Sequence, residues 1–226
     1  MSSPRFDPPP DSRPDDTAWP QLTWPVPPEA TLVGDTVVLR RADPERDAAA
    51  LSDALDDDRV WAHVRGRPAT AFDWTATLQQ RFRDDWLPWV VTLRQAGYGR
   101  PAGAVIGTSS YLEVSAVDAR LEIGATMYAP DVWGSKVNPE TKLLLLSYAF
   151  DELRAGRVQL KTDVRNQRSL QAIARLGARY EGVLRRYQRR SDMTVRDTVV
   201  FSIIAEQWPE VRGGLQARLG SHGQAP

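Results

Sequence analysis

The chain has 226 residues, 29 basic and 29 acidic side chains, no cysteine and 17 prolines. The lack of cysteine excludes a disulfide framework, a thiolate zinc site, an iron–sulfur cluster and a cysteine nucleophile. Zero formal net charge argues against a dedicated nucleic-acid binder, and two histidines, His63 and His222, leave no basis for a multi-histidine metal centre or a Ser-His-Asp system. No apolar run approaches the roughly 20 residues of a membrane span. No apolar stretch follows Met1-Ser2-Ser3-Pro4, so no secretory signal is expected. The expectation is a cytoplasmic protein with no metal, no membrane contact and no nucleic-acid partner.

Nine of the prolines lie in the first 28 residues, among Asp7, Asp11, Asp15 and Asp16. Residues 1–29 therefore read as a disordered or extended arm. Trp19, Leu22, Trp24 and Val26 give it apolar groups with which to dock on a domain or on a second subunit. Thr36–Arg40 reads as a first strand. Asp43-Pro44 then opens a helix, an N-cap followed by proline at the first helical position, with Ala48, Leu51 and Leu55 on one face. A second helix is expected from Asp73 toward Trp86. Trp89–Leu93, Ala104–Leu112 and Arg120–Tyr128 read as an antiparallel meander. Asn138-Pro139 opens another helix, with Leu143, Leu146, Phe150 and Leu153 at helical spacing.

Val158, Leu160, Thr162 and Val164 alternate as a strand does. Asn166 caps a short helix that Gly177 ends. Two strands follow, near residues 179–189 and 195–205, and residues 211–226 read as a polar, frayed tail. The order β-α-α-β-β-β-α-β-α-β-β is that of a single mixed α/β domain over residues 30–210.

The segment from Ile123 to Lys142 is a strand, a tight polar turn and a capped helix. Gly134 and Ser135 are small enough to let backbone N–H groups converge, the helix beginning at Asn138 adds its dipole, and Lys136 and Lys142 add charge. Together they form a candidate phosphate cradle. By itself the segment reads more readily as an ordinary strand–turn–helix, since one glycine before a capped helix is commonplace.

Three blocks in order carry a resemblance. They are Trp133-Gly134-Ser135-Lys136-Val137-Asn138-Pro139-Glu140 with the leucine-rich helix behind it, Val158–Ser169 with its Asn-x-x-Ser ending, and Arg196–Ile203. The chain resembles the GCN5-related N-acetyltransferase (GNAT) superfamily, in particular its RimJ/RimL-like branch, over about residues 34–210. The resemblance implies a mixed, mostly antiparallel central sheet with splayed middle strands flanked by helices. It implies acetyl-CoA as acyl donor, an amine of a protein N-terminus or small molecule as acceptor, and direct transfer between them. A homodimer is also compatible. Two positions depart from the pattern. Lys136 stands where a second glycine is usual, and Ala172-Ile173-Ala174 lacks the tyrosine that many members place near the leaving group.

By position in the family, Glu122 becomes the candidate general base, because an ammonium must lose a proton before it attacks. A strand glutamate paired with Arg120 is the plainer alternative, and Glu113 is the reserve. Ser169 is expected near the departing sulfur, and a backbone N–H near Met127 at the oxyanion. The cofactor-binding set implied is Met127, Tyr128, Trp133, Gly134, Ser135, Lys136, Val137, Asn138, Asn166 and Ser169. Arg175 reads as solvated. Trp61, His63, Arg65, Arg67, Phe72, Trp74 and Trp86 mark the acceptor side, with Trp74 and Trp86 assigned to the core. Asp53 and Asp56–Asp58 read as a helix end or as an attractor for a cationic acceptor. A catalytically weak acetyl-CoA-binding sensor with the same fold is the alternative function.

Overall fold

The structure, a computed structural model, describes residues 20–221. One sheet of eight strands runs through it: β1 (Thr31–Val33), β2 (Val37–Arg41), β3 (Leu87–Leu93), β4 (Val105–Ser115), β5 (Arg120–Tyr128), β6 (Arg157–Asp163), β7 (Arg179–Arg189) and β8 (Val195–Ile204). Their spatial order is β1-β2-β3-β4-β5-β6-β8-β7. Every neighbouring pair is antiparallel except β5 with β6. The six helices are α1 (Pro44–Ala54), α2 (Asp58–Trp61), α3 (Ala71–Arg83), α4 (Val137–Ser147), α5 (Gln167–Ala174) and α6 (Trp208–Ser221).

Alternation along the strands builds two apolar layers. Val37, Leu39, Trp89, Val91, Tyr111, Leu121 and Ile123 pack with Leu145 and Leu146 of α4 and with Trp208, Val211 and Leu215 of α6. On the other face Val90 and Met127 meet Leu51 of α1, Trp61 of α2, and Trp74 and Leu78 of α3. The cap logic holds for α1, where the Asp43 carboxylate accepts the N–H groups of Glu45 and Arg46 at 3.0 Å. Helix α3 begins before Asp73, because Thr70 is its cap and accepts the Asp73 N–H. It stops at Arg83, short of Trp86.

Asn138 does not cap α4. The helix begins one residue earlier, with Lys136 in the cap position and no capping side chain there. Ser135 takes the role from one residue further out, its Oγ accepting the Val137 N–H at 3.2 Å. Glu140 ties this helix to the far edge of the sheet. Its carboxylate accepts the N–H groups of Asp35, Thr36 and Val37 at 2.6, 2.9 and 3.1 Å. A Cβ on Gly34 would stand 2.7 Å from that carboxyl group, so a larger residue there would push the carboxylate off these three N–H groups.

The described part of the arm docks on the domain, as one reading of the sequence has it, while the far end differs from the expectation. Residues 1–19, with Trp19, lie outside the described residues, as does His222. Residues 20–29 are seated on the domain: Leu22 and Val26 are buried, and the Thr23 N–H donates to the Leu153 carbonyl at 2.8 Å. The expected frayed tail is α6 as far as Ser221. Trp208, Val211 and Leu215 recur at helical spacing and are buried, while Gly213 and Gly214 on the outer turn hide that pattern in the sequence. Trp208 stacks on Phe150 at 5.3 Å and donates its indole N–H to Asp151 at 3.0 Å. Trp208→Ala should therefore lower the unfolding free energy by about 3 kcal/mol in urea titration; a frayed tail would leave it unchanged.

Candidate active site

β5 and β6 pair at only three positions, Arg120 with Arg157, Leu121 with Val158 and Glu122 with Gln159. Beyond them the strands part. From Ile123 to Tyr128, β5 has no strand on its β6 side, while β6 stays paired with β8 along its whole length. A bulge adds to the divergence. Against β4, the register passes from Ser110–Gly124 to Thr108–Met127, which leaves an extra residue on β5. Ala125 adopts φ 47° there. The result is an open fork whose base is Glu122.

Glu122 is 5% exposed. Its Oε2 lies 2.9 Å from Lys161 Nζ and accepts from Gln159 Nε2 at 3.2 Å. Glu113 joins the group, accepting from Lys161 at 2.5 Å and from Gln159 at 2.9 Å. The Tyr187 hydroxyl accepts from Lys161 at 3.1 Å. Burial pushes the Glu122 carboxyl above the usual carboxylate range, against the pull of Lys161. For Lys161, burial works against the charge, but its bonds to Glu113 and Glu122 outweigh it and keep the ammonium protonated. The other oxygen, Oε1, lies over Gly124, where a Cβ would stand 2.7 Å away. Gly124 thus lets the carboxyl group lie along β5 toward the open fork. The Arg120 partnership weighed from sequence does not form, because Arg120 turns to Asp118 and the Glu113 carbonyl.

The turn after β5 closes one end of the fork. Gly134 takes φ 74°, a conformation that favours glycine, whereas Lys136 has φ −67° and needs none. The N–H groups of Gly134, Ser135 and Lys136 make no hydrogen bond to the described residues. That is the donor array an anion would require. Val137 is different: its side chain is in the core and its N–H is taken by Ser135. Asn138 is half-buried in the first turn of α4. Trp133 is a strut. Its indole N–H donates to the Tyr128 carbonyl at 2.9 Å, and the Arg168 guanidinium of α5 lies 3.5 Å above its ring.

Across the fork, Asn166 caps α5 through its Oδ1, which accepts the Ser169 N–H at 3.1 Å. The Ser169 hydroxyl has no hydrogen bond to any described residue. Arg175 is exposed. Of the acceptor-side aromatics, Trp61 and Trp74 are core residues packed edge to face, and Phe72 is 80% exposed. Trp74 is in the core as the sequence suggested, whereas Trp86, assigned there too, is only half-buried. The acidic cluster does not stand free, since Arg67 binds Asp56 and Asp58 and Arg59 binds Asp57.

Lys142 corrects another expectation. It adds nothing to the phosphate turn. It points from α4 into the sheet and is 4% exposed. Its Nζ donates to Thr126 Oγ1 at 2.6 Å and to Ser109 Oγ at 3.3 Å, and those two hydroxyls are 2.7 Å apart. The triangle fastens β5 just past its bulge. The helical spacing was the available signal: Lys142 shares its face with Leu145 and Leu146, which are buried against the sheet. Lysines Lys161 and Lys142 thus hold the base and the open arm of the fork.

The comparisons place the family beside this geometry. Residues 36–179 match the acetyltransferase (GNAT) domain model. The chain belongs to the GNAT acetyltransferase family. A putative acetyltransferase from T. thermophilus is 34% identical with a TM-score of 0.75, over 87% of this chain and 100% of that one. The uncharacterised N-acetyltransferase p20 of Bacillus licheniformis is 25% identical over 178 residues, 79% of this chain and 98% of the relative. RimJ of Mycobacterium smegmatis, solved in complex with CoA-disulfide, has a TM-score of 0.69 at 23% identity, over 84% of this chain and 93% of that one, a likeness of fold. The protein is thus an acyltransferase of a fold that takes its acetyl group from acetyl-CoA.

Burial lowers the Lys142 ammonium to about 7, with Glu122 pulling weakly the other way. Because the folded value lies below the unfolded one, the charged lysine costs the folded state stability below pH 7. That cost fades as pH rises from about 7 to the ordinary lysine range. Lys142→Met should raise the unfolding free energy at pH 6, by at most roughly 5 kcal/mol, and by much less at pH 10. A gain independent of pH would contradict the burial of a charge there.

Proposed function

We propose that the protein moves an acetyl group from acetyl-CoA directly to a primary amine, with Glu122 taking the amine proton. The observation that carries this is the fork itself. The buried Glu122 carboxyl stands where β5 leaves β6, one oxygen held by Lys161 and Gln159 and the other lying over Gly124 toward the opening. The unpartnered edge of β5, including the backbone of Met127 and Tyr128, suits the amide-bearing arm of the donor. The free N–H groups of Gly134, Ser135 and Lys136 suit its pyrophosphate. Asn166 and Ser169, at the start of α5, suit the end of that arm nearest the thioester.

In this reading the acceptor ammonium gives one proton to Glu122, directly or through water, and its nitrogen attacks the thioester carbonyl. A new C–N bond forms and negative charge gathers on the carbonyl oxygen, which a backbone N–H near Met127 stabilises. The C–S bond then breaks. The departing thiolate receives a hydrogen bond from the Ser169 hydroxyl and takes up the second amine proton. The raised pKa of Glu122 suits a base that must win a proton from an ammonium at neutral pH. Tyr187 touches Lys161 rather than the start of α5, so it does not replace the tyrosine missing from that helix. The RimJ/RimL-like branch, whose members act on protein N-termini, is the part of the family that the sequence blocks resemble.

Glu122→Gln should lower the rate of thiol release about 100-fold at neutral pH. It should also remove the acid limb of the pH profile, since activity rises as the carboxyl loses its proton. An unchanged rate would remove Glu122 from the chemistry. Acetyl-CoA binding without thiol release from any amine would favour the sensor reading.

A further inference from the structure

A second cleft adjoins the fork on the acceptor side, with a volume of about 160 Å³. Its walls are the segment Ala62–Arg65 after α2, the β6–α5 loop at Arg165, and the β7–β8 turn from Gln188 to Arg196. Five arginines line it, Arg65, Arg165, Arg189, Arg190 and Arg196, against one carboxylate, Asp192. Two of the five are occupied. Arg190 grips Asp163 at 2.6 and 2.9 Å, and Arg165 lies 3.8 Å from Asp192. Arg65, Arg189 and Arg196 have no carboxylate among the described residues within ion-pair distance, and Arg65 donates only to the Arg189 carbonyl, at 3.1 Å. The Arg196 Nε is buried with no hydrogen-bond partner among the described residues. A chain of net charge zero has therefore gathered unpaired guanidinium groups in one cleft.

The cleft is joined to the base of the fork. Glu122 meets Lys161, and Lys161 meets Tyr187. Arg196, which lines the cleft, lies within the electrostatic reach of Asp163, Glu122 and Tyr187. The acids that would draw a cationic acceptor, Asp56, Asp57 and Asp58, are already bound by Arg67 and Arg59.

We propose that this cleft holds an anionic group of the acceptor, so that the amine acetylated here belongs to a molecule that also carries a carboxylate or a phosphate. The inference rests on the acetyl-transfer reading and narrows its substrate. A guanidinium fork matches both groups in geometry, and an anion would give the buried Arg196 N–H the acceptor it lacks.

The test compares matched acceptors that differ only in the anion: β-alanine against β-alaninamide, and phosphoethanolamine against ethanolamine. Thiol release from acetyl-CoA should give kcat/KM at least about tenfold higher for the charged member of one pair, and the pair that responds tells carboxylate from phosphate. Arg189→Gln, on an exposed side chain, and Arg196→Gln should each erode that preference, raising KM more for the charged acceptor than for its neutral partner. Equal or better turnover of both neutral amines would overturn the proposal and leave acetyl transfer standing. Thiol release from none of them would tell against the transfer reading instead. Calorimetric titration of β-alanine and phosphoethanolamine into the CoA-bound protein then decides the anion site by itself. Binding that is lost in Arg196→Gln supports it, and no binding overturns it.

Discussion

The candidate site in this structure depends on two parallel strands that stay together for three residues and then separate. A strand edge left without a partner exposes N–H and C=O groups that must find water or a ligand. Here that edge runs from Ile123 to Tyr128, in the middle of an eight-stranded sheet rather than at its rim. The parting is built in. Lys161 and Gln159 stitch β6 to Glu122 at the base, and the bulge at Ala125 turns β5 away. Lys142 reaches from α4 to hold the departing strand by Thr126. The opening is therefore shaped without a ligand, and a ligand that entered it would be spared the ordering cost of making it.

Charge placement follows the same division. The chain as a whole is neutral, so its local fields come from segregation. A buried carboxyl and a buried amine lie on opposite faces of β5, and the same cause, loss of water, moves the first upward and the second downward. Around them the paired acids after α1 and the unpaired arginines by the β7–β8 turn leave the cleft beside that turn cationic. The donor side uses almost no side-chain charge. Lys142 is turned inward and Arg168 is stacked on Trp133, so the anion-seeking groups there are backbone N–H donors.

Much of this was legible in the chain, and the reasons for the rest are physical. Period-2 alternation and capped helices located most elements, because each signal is local. The order of those elements and three motif blocks carried the family. Glu122 was a candidate by its position on the strand before the turn, and its burial at the base of the fork is what the structure adds. Its partners were not, because the pairing of Glu122 with Gln159 joins residues 37 positions apart and no local pattern encodes a parallel register. Lys142 looked like a phosphate ligand from its place near the turn, yet its helical spacing from Leu145 and Leu146 already pointed it inward. Asn138 has the residue type of a cap, but Ser135 reached the free N–H first. Helix α6 was hidden by its glycines, and the arginine cleft by its assembly from three distant segments.

The account stands or falls on whether the donor occupies the fork. Backbone hydrogen exchange with and without CoA measures this directly, since a ligand that pairs with an open edge slows exchange of the amides it contacts. The fork predicts slower exchange at residues 123–128 and at Gly134, Ser135 and Lys136, with no change in β1 and β2. Protection confined to other segments, or none at saturating CoA, would contradict it.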